Sequence, residues 1–170
     1  SIDFRCFTYC DDLLGITIPD SVTTIAGEAF SNSGLTSITI PDSVTSLGDS
    51  QFINCVDLAS VTISNGLTSI GFQTFRKCTS LSSITIPNNI TSIGEKSFIL
   101  CTALLTATIG SGVTSIGASA FSSCGSLATI NCLATTAPAL GGNAFAATAV
   151  NAEIHVPVGA TGYETTYGGL

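Results

Sequence analysis

Seven cysteines and a single histidine are the most reactive side chains in this 170-residue chain. Their spacing decides which chemistry is open to them. Cys55, Cys78, Cys101 and Cys124 recur at a constant interval of 23 residues. Thiolates could ligate a soft metal, but a zinc site wants paired short spacings with histidine nearby. Such pairs are missing. If each interval closes one turn of a coil, the four cysteines stack about 4.8 Å apart, one strand spacing. That is within Cα range for a disulfide, yet side chains stacked in parallel point the same way and not at one another. A column of small buried hydrophobes is the stronger reading, and Ser33, in the same place one unit earlier, agrees with it. Cys6 and Cys10 are closer together, which leaves a local bridge open. Cys132 stands alone.

His155, within Glu153-Ile154-His155-Val156-Pro157, falls on the outward side of a terminal strand beside Glu153. A general base needs a nucleophile and an orienting partner within reach, and serines are too abundant here for proximity to one to mean anything. A solvated edge histidine is expected. Asp20 and Asp42 share a place continued by Asn65, Asn88 and Ser111. A calcium ladder would need several converging carboxylates, so turn-forming side chains bonded to backbone are favoured. Asn89-Ile90-Thr91 is a glycosylation sequon, meaningful only in a eukaryotic secretory source. No catalytic residue, metal ligand or cofactor site is expected, and the chain is read as a non-enzyme.

Net charge excludes further classes. At −7, with Arg5, Arg76, Lys77 and Lys96 as the only cations, the chain lacks the basic track that nucleic acid or anionic lipid requires. Its apolar residues make up 45% of the chain but are scattered, with no run near the roughly 20 residues of a membrane span.

What must position these side chains is a repeat. Leu35, Ile38, Ile40, Val44, Leu47, Gly48, Phe52 and Cys55 define a unit whose leucines return at Leu58, Leu81, Leu104 and Leu127, and whose phenylalanines return at Phe75, Phe98 and Phe121. A fixed period in this range marks a solenoid, in which each unit stacks on its neighbour. The units run near 1–12, 13–34, 35–57, 58–80, 81–103, 104–126 and 127–150, with 151–170 as a terminal repeat or cap. The last strand and the stretch from Tyr163 to Leu170 are expected to close that end. The unit at Leu13 is one residue short, a deletion that costs little inside a loop. Residue 1 already lies within a degenerate repeat, with Ile2, Phe7 and Cys10 matching Ile25, Phe30 and Ser33, so the chain reads as part of something longer.

Within a unit, Leu35 to Ile40 alternates as a strand does, with Ser37 and Thr39 outward. Pro41 and Asp42 end it. Val44 and Leu47 re-enter the core as a second short extended segment, and Gly48 is read as allowing a sharp change of direction. The stretch from Ala118 to Cys124 reads as one helical or 3₁₀ turn that drops Phe and Cys into the core. Seven apolar side chains per unit, at about 1.5–3 kcal/mol each, fall short of the roughly 1.5 kcal/mol per residue needed to order a unit. A lone unit should not fold.

These positions resemble the BspA-like class of leucine-rich repeats, found on surface proteins of bacteria and some protists and in some viral structural proteins. The resemblance covers about residues 2–150, and the tail, from Ala134 through Phe145 to Ile154, Val156, Pro157 and Tyr163, is similar to the family's usual ending. Ser33 replaces a ladder cysteine and Gly110 a usual proline. The resemblance implies a parallel β-solenoid with one strand per coil lining a concave face, and adhesion or partner binding without catalysis.

The candidate binding residues are the outward strand positions Ser37, Thr39, Ser60, Thr62, Ser83, Thr85, Thr106 and Thr108, together with the variable loop residues Asp49, Arg76, Lys77, Glu95 and Lys96. The strand face carries none of the aromatic and arginine anchors of usual hot spots, so binding there is weak and multivalent or specificity lies on the loops. The expected partner is a surface protein or glycan, or further copies of the chain, and the expected location is extracellular or surface-associated. Alongside adhesion stands a structural reading, a spacer or fibre segment of a filament or virion, because open solenoid ends expose strand edges. Ice binding by the Ser/Thr rows is disfavoured, since curved solenoids do not match a flat lattice.

Overall fold

The structure, a computed structural model, describes residues 1–163. The remaining seven, expected to help close the C-terminal end, lie outside the described residues. The chain is a parallel β-solenoid of about six turns. From Ser37 to Leu140 each coil carries a long strand and then a two-residue one. The long strands are β2 (Ser37–Ile40), β4 (Ser60–Ile63), β6 (Ser83–Ile86), β8 (Thr106–Ile109), β10 (Thr129–Cys132) and β12 (Glu153–His155). The short ones are β1 (Thr24–Ile25), β3 (Ser46–Leu47), β5 (Ser69–Ile70), β7 (Ser92–Ile93), β9 (Ser115–Ile116) and β11 (Ala139–Leu140). All named pairings are parallel and in register, Ala107 against both Ile84 and Ile130 for instance.

The alternation read from sequence is what the coil uses. In β2 and β6 both isoleucines are buried and both hydroxyl residues exposed. Leu35, Leu58, Leu81, Leu104 and Leu127 are fully buried, as are the ring side chains behind them. Phe7, Phe30, Phe52, Phe75, Phe98, Phe121 and Phe145 form one continuous stack, with centroids 5.0 to 5.5 Å apart.

The third segment of each coil is not helical. Alternate N–H groups donate to the next coil, as Phe52 does to Thr74 (2.8 Å) and Asn54 to Arg76 (2.8 Å), while those between turn back three residues, as Cys55 does to Phe52 (3.2 Å). A helix cannot do this, because it spends its N–H groups within its own axis. The geometry instead needs two left-handed residues per coil, four apart: Ser50 and Asn54, Gln73 and Lys77, Lys96 and Leu100, Ser119 and Ser123. Each strains a non-glycine backbone, and the inter-coil ladder holds it there.

Gly48 also has a different reason from the one read in sequence. It has no left-handed φ. A Cβ on Gly48 would lie 2.4 Å from the Gly27 nitrogen, and one on Gly94 would lie 2.6 Å from the Gly71 carbonyl carbon. Close approach of successive coils excludes a side chain.

A candidate binding face

The outward residues of the long strands form one surface. Ser37, Thr39, Ser60, Thr62, Ser83 and Thr85 are exposed on it, while Thr106 and Thr108 are half-buried. Its cross-strand partners are like with like, Ser37 beside Ser60, Thr39 beside Thr62 and Thr85 beside Thr108. The surface is uncharged until β12, where Glu153 and His155 take the outward places.

The ladder beneath this face is interrupted. β2 pairs with β4, and β6 with β8, β10 and β12, but β4 and β6 share no pairing. Between them opens a 270 Å³ cleft lined by Ser60, Val61, Thr62, Ile63, Ser83 and Thr85. Val61, at a position buried in β2 and β6, is half-exposed as a result. Four candidate hydroxyls thus sit on the two banks of a seam, above backbone groups that lack ladder partners. A second opening, 590 Å³, lies where residues 15–18 run beside β2. The repeat predicts a strand there with Gly15 and Thr17 outward, and the segment is not one. Just before it, the Leu14 carbonyl accepts from Thr36 N (3.0 Å). Glycine at position 15 weakens a strand by its entropy and missing side chain. The seam had no signal in the repeat pattern, because the apolar positions on both sides of it are intact.

The loop candidates divide. Arg76 and Lys77 sit on the turn segment, with Lys77 exposed. Glu95 and Lys96 pair with each other at 2.6 Å, and Lys96 Nζ lies 5.8 Å above the Phe72 ring. Asp49 is exposed but tied to the next coil: its carboxylate accepts from Phe72 N at 3.0 Å, near the place where β3 and β5 fail to pair. The structure therefore brings together the hydroxyl rows but not the charged loop residues.

The reactive side chains are structural in their placement. All seven cysteines are free, Cys6 and Cys10 included. Each column thiol donates to a phenylalanine carbonyl of the coil before: Cys55 to Phe30 (3.0 Å), Cys78 to Phe52 (3.2 Å), Cys101 to Phe75 (3.1 Å) and Cys124 to Phe98 (3.1 Å). Burial pushes the Cys78 thiol well above its usual pKa, and a hydrogen bond with Cys124 together with burial does so for Cys101. Such thiols are poor nucleophiles and poor ligands. Among the described residues no group of three or more His, Cys, Asp or Glu could hold a metal ion. His155 is exposed, 3.6 Å from Glu153. Asp42 and Asn88 accept from the backbone N–H of Asn65 (2.6 Å) and Ser111 (2.9 Å), each one coil on. The sequon residue Asn89 spends its amide on the Asn65 and Leu67 carbonyls, which leaves no free amide for a glycan. No helix among the described residues is long and apolar enough to cross a membrane.

Comparison with solved structures finds this architecture in bacterial proteins. A leucine rich cell surface protein of Faecalibacterium prausnitzii is 40% identical over 68% of this chain and 31% of its own, with a TM-score of 0.66. A leucine-rich repeat protein of Bacteroides ovatus is 30% identical over 91% of this chain and 45% of its own, TM-score 0.66. One from Eubacterium ventriosum is 25% identical over 95% and 41%, TM-score 0.76. The chain therefore spans less than half the length of each. No curated protein matches it. Six copies of the BspA type leucine rich repeat region match residues 1–128, and with that coverage and the shared solenoid the chain belongs to the BspA-type leucine-rich repeat family.

Proposed function

We propose that this chain is a non-catalytic binding module carried at a surface, which holds protein or glycan partners along its long-strand face. The observation that carries the reading is its 40% identity to a leucine rich cell surface protein. The seam between β4 and β6 supports the location, since it offers hydroxyls and unladdered backbone groups side by side on a rigid scaffold. Repetition of shallow hydroxyl contacts suits weak, multivalent attachment to a repetitive partner.

Two experiments test this. Antibody labelling of intact cells against permeabilised cells asks whether the protein is displayed; label reached only after permeabilisation counts against the reading. Binding of the purified chain to glycan arrays and to extracellular matrix proteins asks for the partner. The variant Thr62→Arg/Thr85→Arg should abolish a signal that Ser69→Arg, on a short strand, leaves intact. Equal effects of the two variants would remove the long-strand face from consideration.

A second reading, a self-assembling spacer or fibre segment, is favoured by Phe4, Tyr9 and Leu14, large hydrophobics exposed near the first coil. A heterologous contact through these side chains to another copy would build an open filament. Light scattering over a wide concentration range separates the readings: a constant monomer mass removes the second.

A further inference from the structure

The deletion in the second unit shapes a site. Gly34 alone links Ser33 to Leu35, whereas Asp11 and Asp12 link Cys10 to Leu13, and Val56 and Asp57 link Cys55 to Leu58. The short link is drawn in: Gly34 is buried, donates to the Cys10 carbonyl at 3.1 Å, and a Cβ there would lie 1.8 Å from the Asp11 carbonyl oxygen. The longer links on either side stand proud of it. Between them is a 360 Å³ notch lined chiefly by Tyr9, Asp11, Asn32, Asn54, Val56 and Asp57.

The charged groups of this notch are acceptors. Asp11 and Asp57 are exposed carboxylates. Asn54 Nδ2 donates to Asn32 Oδ1 at 3.1 Å, and Asn32 Nδ2 donates to Ser31 Oγ at 2.7 Å, so each side-chain amide has one of its two N–H donors engaged. Asn54 Oδ1 is left buried with no hydrogen-bond partner. Tyr9 stands at the rim, 73% exposed. The nearby Arg5 is committed to Glu28 at 2.7 Å and does not line the notch.

We propose that this notch receives an arginine side chain presented by a partner protein, with the guanidinium between Asp11 and Asp57 and against the Tyr9 ring. A guanidinium supplies only donors, in a planar fork that suits carboxylates and stacks on aromatic faces. A neutral sugar would leave both carboxylates without the counter-charge that a guanidinium supplies. A calcium ion needs six to eight converging oxygens, more than two carboxylates and an amide provide. The chain's charge of −7 steers a basic partner toward it. The site is separate from the long-strand face and goes beyond the function proposed for it.

The test is an amide NMR titration of the whole chain with N-acetylarginine amide. Shifts should be confined to residues around Tyr9, Asp11, Gly34, Asn54 and Asp57, and N-acetylglutamine amide at equal concentration should produce none. Asp11→Asn/Asp57→Asn should weaken the arginine response roughly tenfold or more with an unchanged melting temperature, since both side chains are exposed. Absent or scattered shifts, an equal response to the glutamine amide, or a stronger one to Ca²⁺ or glucose on the same residues overturns the proposal. The Thr62→Arg/Thr85→Arg variant should titrate as the unaltered chain does, so failure at the notch and failure of the long-strand face are read separately.

Discussion

Phe75 lies between Phe52 and Phe98, with ring centroids 5.3 and 5.2 Å away and no exposure to solvent. Phe75→Ala should therefore destabilise the chain by about 3–5 kcal/mol, measured by urea denaturation, because coils fixed by the inter-coil ladder cannot collapse into the gap. The thiol column makes a prediction about pH. A thiol whose pKa is raised in the folded chain stays protonated after the unfolded chain's thiol has ionised, so the folded state loses ground only at high pH. Stability should be insensitive to these groups below the ordinary thiol value of 9.0 and fall as pH rises above it. Thermal melts from pH 7 to 10.5 check this, and Cys78→Ala/Cys101→Ala should flatten the decline. Gly94 is a third case. Gly94→Ala places a methyl 2.6 Å from the Gly71 backbone, and its cost should exceed the few tenths to 1 kcal/mol by which alanine usually stabilises such a position. A more stable Gly94→Ala variant in urea would show that the coils are not in close contact there.

At the scale of elements the two sides of each coil differ in how they are tied. The turn segments keep their ladder through the middle of the molecule: Ser50, Phe52 and Asn54 all donate to the following coil, and so do Gln73, Phe75 and Lys77. The long strands break between β4 and β6, and the short ones between β3 and β5. Amide hydrogen exchange should expose this. The N–H groups of β6 that face β4 should exchange faster than those of β8 that face β6, while the turn segments of the same coils stay protected. Uniform protection along the long-strand sheet would mean that the seam is closed in solution. The same seam separates what was legible from what was not. The sequence marks Ser60, Thr62, Ser83 and Thr85 as outward because their neighbours alternate with isoleucine and valine. Nothing in that alternation says whether the backbones of β4 and β6 are hydrogen-bonded, which depends on how closely the two coils approach.

Considered whole, the molecule is a one-dimensional stack, and its stability should be approximately a sum over units and their interfaces. Excising residues 81–103, a full unit with Phe98 and Cys101 in register, should leave the solenoid folded. It should lower both the urea midpoint and the m-value, the latter because less surface is exposed on unfolding. An unchanged m-value would mean that this unit does not unfold with the rest.

The sequence alone determined the solenoid, the period, the inward columns of leucine, phenylalanine and cysteine, and the outward hydroxyl rows. These follow from side-chain type, since burial of apolar groups at fixed intervals permits few closed coils. Tertiary structure decided the rest. The turn segment is a ladder of left-handed residues, among them Ser50, Gln73, Lys77 and Lys96, types that do not announce such a backbone by themselves. Gly48 is needed for proximity to Gly27, a contact one unit away in sequence. Asp49 and Asn89 were free to reach outward until the neighbouring coil presented the groups they bind. The notch exists because a deletion that is silent in its own loop is flanked by two longer ones. Each of these outcomes depends on what the adjacent coil offers, and a pattern of residue types within one unit cannot contain that.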